Sequence, residues 1–127
     1  MLSDLKEMQP ASLWRHFEAL CKISRCSGNE AGAADYVVSV ARRHNLSYRR
    51  DALGNTVVDK PASAGARGAP TVVLQSHLDM VCEKDAGVQH DFTHDSFTLA
   101  LADGWLTAQG TTLGADNGIG AAALRRL

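Results

Sequence analysis

The run TVVLQSHLDMV, Thr71 to Val81, constrains this chain more than any other stretch. From Thr71 to Ser76 it is rich in β-branched and Leu side chains with little polar alternation, the composition of a strand buried on both faces. Such a strand requires neighbours on both sides and helices above and below, so an α/β architecture is expected. His77 and Asp79 follow at once, and on an extended chain residues two apart share a face. The C-terminal ends of strands are where α/β sheets bind ligands. The pair then has two readings. The carboxylate can fix the tautomer of the imidazole and raise its basicity as a metal ligand or general base. It can equally make a strand-end hydrogen bond with no further role.

Flanking segments support the α/β reading. Leu13, Trp14, Phe17, Leu20 and Cys21 recur at three- and four-residue spacing, which predicts an amphipathic helix over 12–24 with Ser12 as its N-cap. A second helix over 30–44 carries the stripe Ala34, Val37, Val38 and Ala41. It ends on Arg42, Arg43 and His44, which suit its negative end, with Asn45 able to take a left-handed cap. LSYRRD and NTVVDK flank Gly54-Asn55 as a hairpin or two consecutive strands, and Pro61–Pro70 is a loop. FTLALADGWLTAQG reads as two strands around Asp103-Gly104, and TTLGADNGIG as a loop. The expected order is therefore two N-terminal helices, a mixed sheet and a final helix cut short at Leu127.

Composition excludes several function classes. Thirteen basic residues against fourteen acidic ones leave no charge excess to drive nucleic-acid or membrane-surface binding. The N-terminal MLSDLKEMQP lacks the apolar run of a signal peptide, and no window reaches the length of a membrane span. Three cysteines without repeated spacing point to a reduced cytoplasmic protein, with Cys21 on the apolar face of the first helix and so in the core. At 127 residues one domain is expected.

Two further stretches carry candidate chemistry. In GTTLGADNGIGAAAL, Asp116 sits in a glycine-dense turn ahead of a helix of small residues. Gly118–Ala123 matches the dinucleotide fingerprint G-x-G-x-x-A, but it lacks the buried strand before it and the acidic residue after it that the fingerprint needs. In HDFTHD, His90 and His94 have the spacing of two zinc ligands on a helix, yet no apolar stripe surrounds them and no Glu lies between them. A solvated loop is the better reading there.

Taken in order, LQSHLDMVCEK, HDFTHD and GTTLGADNGIG resemble peptidase family M20, and within it the aminoacyl-histidine (Xaa-His) dipeptidases; LWRHFEALCKIS and DALGNTVV fit the same pattern. The resemblance implies a partial M20-type catalytic domain and a dinuclear zinc site, with other divalent metals able to substitute. His77 would ligate zinc, Asp79 would be the catalytic-site carboxylate that orients His77, and Asp116 would bridge the metals. The Asp116–Asn117 peptide bond would be cis when the metal site is intact, and could relax to trans without the partner ligands. A dipeptide, Xaa-His among the candidates, would be the substrate, and the full-length enzyme would be a homodimer; no substrate-binding residue is matched. By the same resemblance residues 1–127 form the N-terminal part of the catalytic domain. The general-base Glu, the remaining ligands and the lid or dimerisation domain would lie downstream, so the chain alone is expected to be inactive. The alternative is a naturally truncated, non-catalytic binding or regulatory partner of a full-length homologue.

Overall fold

The computed structural model describes residue 5 and residues 7–124. Helices α1 (Ala11–Cys21) and α2 (Ala31–Arg43) come first, then strands β1 (Ser47–Arg50), β2 (Thr56–Asp59), β3 (Leu99–Ala102) and β4 (Trp105–Ala108), and last helix α3 (Ala115–Leu124). The expected order of helices holds, but in place of the expected mixed sheet the strands form two separate antiparallel pairs, and the element ends differ in instructive ways. Helix α1 stops at Cys21 because the Lys22 and Ile23 amides bond Ala19 and Leu20 carbonyls in a tightened last turn. Pro10 occupies its N-cap position without a side-chain cap, so Ser12 lies inside the helix and is not the cap. Helix α2 ends as the sequence indicates, on Arg42 and Arg43, with Asn45 left-handed at φ 54°.

The core forms where α1 meets α3. Phe17, Cys21, Met80, Phe97 and Ala122 make one buried cluster, and Leu20, Ala33 and Ala121 make a second that brings in α2. The small residues of α3 allow this close approach, with Gly118 lying against the Phe17 ring. Burying a Phe side chain contributes about 1.5–3 kcal/mol, so Phe17 is a principal anchor of the helix pair.

The strands form two separate antiparallel pairs. In β1–β2, Ser47 faces Asp59 and Arg50 faces Thr56. In β3–β4, Leu101 faces Leu106 and Ala102 faces Trp105 across Asp103 and Gly104. Both turn residues have positive φ, 51° and 79°, which matches the right-handed strand twist in a two-residue hairpin. Among the described residues, parallel pairing occurs at one isolated bridge, Cys26 to Met80. The basic cluster is spent locally: Arg49 pairs with Asp59, Arg50 with Asp35, and Arg42 donates to the Tyr48 hydroxyl.

Two expectations are corrected. Thr71–Ser76 is neither a strand nor buried: Val72 and Val73 are 76% and 84% exposed. No described segment lies alongside to accept its backbone hydrogen bonds, so the run stays extended in solvent. The cysteines are not all reduced, because Cys26 and Cys82 form a disulfide. The Cys26–Met80 bridge brings Cys26 beside Cys82, 56 positions away, a proximity that spacing could not reveal. Cys21 remains a free thiol in the core, and burial pushes its pKa up to about 11.

Candidate metal centre

The site is built around Met80. Its amide donates to the Arg25 carbonyl at 3.0 Å and its carbonyl accepts from the Ser27 amide at 3.3 Å. This pins the end of the 71–80 run beside the loop that follows α1, even though the run itself is unpaired. His77 and Asp79 project just before the anchor. Asp79 Oδ1 lies 3.0 Å from His77 Nδ1, and Asp79 Oδ2 accepts from the Ser27 hydroxyl at 2.5 Å. The carboxylate is thus gripped on both oxygens. Its pKa is lowered, first by the Ser27 hydroxyl and then by His77.

Asp116 arrives from the opposite side. The backbone at Asp116 (φ −89°, ψ 109°) and Asn117 (φ −115°, ψ 42°) is non-helical, so α3 contains a corner at its start. The Asp116–Asn117 peptide bond is cis, as the resemblance implies. Beyond the corner the Asn117 side-chain oxygen accepts the Gly120 amide at 2.9 Å and caps the continuing helix. The corner places Asp116 Oδ1 3.1 Å from His77 Nε2, while the Asp116 side chain is 94% exposed.

His77 therefore stands between two carboxylates. Its pKa is raised, first by the hydrogen bond to Asp116 and then, against an opposing desolvation, by Asp79. Ionised carboxylates only accept, so both ring nitrogens donate when His77 is protonated. At Nε2, proton and metal compete for one lone pair. The donor chemistry suits a divalent cation: an imidazole nitrogen and a carboxylate oxygen converge on one exposed point, with a carboxylate behind the imidazole. Among the described residues, however, no three His, Cys, Asp or Glu side chains converge to hold a metal. His77 and Asp116 fit two positions of a larger ligand set.

Other candidates fall elsewhere. His90 stacks on Phe97, with ring centroids 5.5 Å apart, and packs edge-on against Phe92. His94 lies in a turn closed by Asp91, so the two histidines share no helix face. Sequence reasoning missed Arg25 and Ser27, which touch the His77–Asp79 segment from the loop after α1. Nothing in CKISRCSGNE marks either residue, because their role depends on a bridge to a distant residue.

Comparison with known proteins gives a consistent result. No family model matches the chain. Over 122 residues, 96% of its length, the chain is 43% identical to the cytosol non-specific dipeptidase of Escherichia coli strain K12, and it covers 25% of that protein. It superposes on the crystal structure of aminoacylhistidine dipeptidase from Vibrio alginolyticus with a TM-score of 0.92 and 42% identity, covering 98% of this chain and 26% of that one. The chain thus spans about a quarter of the length of the relatives it matches.

Proposed function

From a chain homologous to these dipeptidases along nearly its whole length, and sharing the fold of the corresponding part, we propose that residues 1–127 supply one face of the metal centre of a dipeptide hydrolase. The observation that carries this reading is the convergence of His77 Nε2 and Asp116 Oδ1 at 3.1 Å, with Asp79 held behind the imidazole. In this reading His77 and Asp116 would hold the metal and Asp79 would orient His77. Zinc is the cation that the donor set favours, and when bound it supplies Lewis-acid activation of water and of the peptide carbonyl. The chain's own contribution is positional. Asp79 keeps Nδ1 protonated and thereby leaves Nε2 as the ligating atom, while the corner at Asp116–Asn117 aims a carboxylate at the same point.

The reading extends to a Xaa-His or related dipeptide as substrate, a homodimer as the assembled enzyme and the cytosol as its location. The names of the relatives support the substrate and the location. No described helix is long and apolar enough to cross a membrane. With two donors in place, the remaining ligands, the general base and the lid or dimerisation domain belong to further chain, and the 127 residues alone do not turn over a dipeptide.

Zinc titration against a chromophoric chelator tests the assignment. Zn2+ should bind the chain, and His77→Ala and Asp116→Ala should each weaken binding at least tenfold; Asp79→Asn should cost about 10–100-fold, as expected for a residue that orients a ligand. Zn2+ affinity unchanged by His77→Ala would overturn the ligand assignment. Dipeptide turnover by the purified chain that disappears in His77→Ala would overturn the claim that further ligands are required.

A further inference from the structure

Arg25 has none of its surface exposed; among the described residues no carboxylate lies within ion-pair distance of it, and the Asp79 charge attracts it from further away. Its Nε has no acceptor. A buried guanidinium without an ion pair is costly, so its hydrogen bonds must compensate. All three go to backbone oxygens: Nη1 donates to Leu78 at 3.1 Å and to Asp79 at 3.4 Å, and Nη2 donates to Gly114 at 2.6 Å. Leu78 and Asp79 follow His77 directly, and Gly114 precedes Asp116 by two residues. We propose that Arg25 is a positioning residue whose planar fork holds the His77–Asp79 segment and the Gly114–Asp116 turn in register, and so sets the separation of His77 from Asp116. The inference deepens the proposed metal centre and rests on its ligand assignment.

The geometry favours a spacer role over simple core filling. The guanidinium is rigid and presents its donors in a fixed plane, so two chain segments bonded to its two ends are held at a fixed distance. The backbone closes around it. Gly114 has φ 68°, and a Cβ there would lie 2.6 Å from Nη2; a Cβ at Gly118 would lie 2.8 Å from the same atom. The glycines on either side of Asp116 therefore leave room for the arginine head. The Arg25 carbonyl accepts the Met80 amide, so one residue ties the 71–80 run through its main chain and both segments through its side chain. The contact between His77 and Asp79 lies within one continuous segment and does not need Arg25. The contact between His77 and Asp116 joins residues 39 apart; the Ser76 hydroxyl, donating to the Asn117 carbonyl at 3.3 Å, is one tie across that gap, and the Arg25 fork is the buried one.

That asymmetry gives the test. In the 127-residue chain, nuclear Overhauser contacts are measured from the His77 ring to the Asp79 and Asp116 side chains, with Phe17 to Ala122 reporting the core. Arg25→Met should lose the Asp116 contact and keep the other two, and Zn2+ affinity should fall at least tenfold. Arg25→Lys, which keeps charge and reach but not the fork, should also lose the Asp116 contact. Millimolar guanidinium should restore it in Arg25→Ala. A His77–Asp116 contact that persists in Arg25→Met, or a Lys variant equal to the native chain, would overturn the proposal. So would loss of the Phe17–Ala122 contact in every variant, which makes Arg25 a general core residue. If the contact depends on Arg25 while the native chain shows no Zn2+ affinity, the positioning role stands and the metal reading falls.

Discussion

Val72 and Val73 stand in solvent, whereas Leu101 and Leu106 face each other half-buried in β3–β4. By composition the order should be reversed. Thr71–Ser76 is the more strand-like segment, and Leu99–Ala108 is diluted by alanines and interrupted by Asp103-Gly104. The difference lies in where each finds a partner. The hairpin carries both strands within ten residues, and a two-residue turn with positive φ closes it at little entropic cost. The 71–76 run needs strands from elsewhere, and no described segment supplies them. β-Propensity measures fit to a pleated, half-buried surface, and without that surface it decides nothing.

The largest expected contrast is in amide exchange. The amides of Val73 and Leu74 should exchange within about tenfold of an unstructured peptide, while those of Ala100 and Thr107 should be slowed by roughly a hundredfold or more, because only the latter lie in a ladder. Strong protection at Val73 would mean that the run is paired in solution. Next comes Gly104→Val. A β-branched residue at φ 79° is strained by about 1–2 kcal/mol, which should lower the denaturation midpoint of the hairpin. An unchanged midpoint would show that the turn does not hold β3 against β4.

What the sequence made legible follows the same division. Signals that act over a few residues were readable: the apolar stripe of α1, the basic end of α2, the Asp103-Gly104 turn, and the sharing of one face by His77 and Asp79. Asp116 was readable only through the company of its glycines and the family resemblance, because its approach to His77 spans 39 residues. Arg25, Ser27 and the Cys26–Cys82 pair were not readable at all. Each acts through the single parallel bridge to Met80, and one bridge leaves no periodic trace in a sequence. The error at Thr71–Ser76 has another source: its composition describes a complete surrounding sheet, which these residues do not contain.

A smaller effect is expected from the exposed run itself. Val73→Lys removes an apolar side chain that touches little, so stability should stay within about 0.5 kcal/mol by denaturant titration. The same change interrupts an apolar patch formed with Val72 and Leu74, so binding of an environment-sensitive dye and self-association should both decrease. A loss of more than about 1 kcal/mol would place Val73 in a packed environment and remove the contrast with β3–β4.

The smallest effect concerns the other hairpin, β1–β2, whose longer turn is held by Asp51. One carboxylate oxygen accepts the Leu53 and Asn55 amides, both at 2.9 Å, and the other accepts the Asn55 side-chain amide at 2.8 Å. These bonds favour the ionised form, the Asn55 side chain most, and lower the Asp51 pKa from its ordinary 3.8. A carboxylate whose pKa is lower in the folded state stabilises that state fully above its unfolded pKa, and the contribution is lost as pH falls through the folded one. Order in β1–β2 should thus be constant at neutral pH and decline below about pH 3.8. Asp51→Asn should remove this dependence, since an amide oxygen can still accept a turn hydrogen bond but does not titrate in this range. Chemical shifts of Tyr48 and Val58, which face each other across the strands, report the transition with little interference from the metal centre. If the native chain and Asp51→Asn lose β1–β2 order at the same pH, the turn is held by its backbone alone. β1–β2 would then resemble β3–β4, where the turn residues suffice without a side-chain clamp.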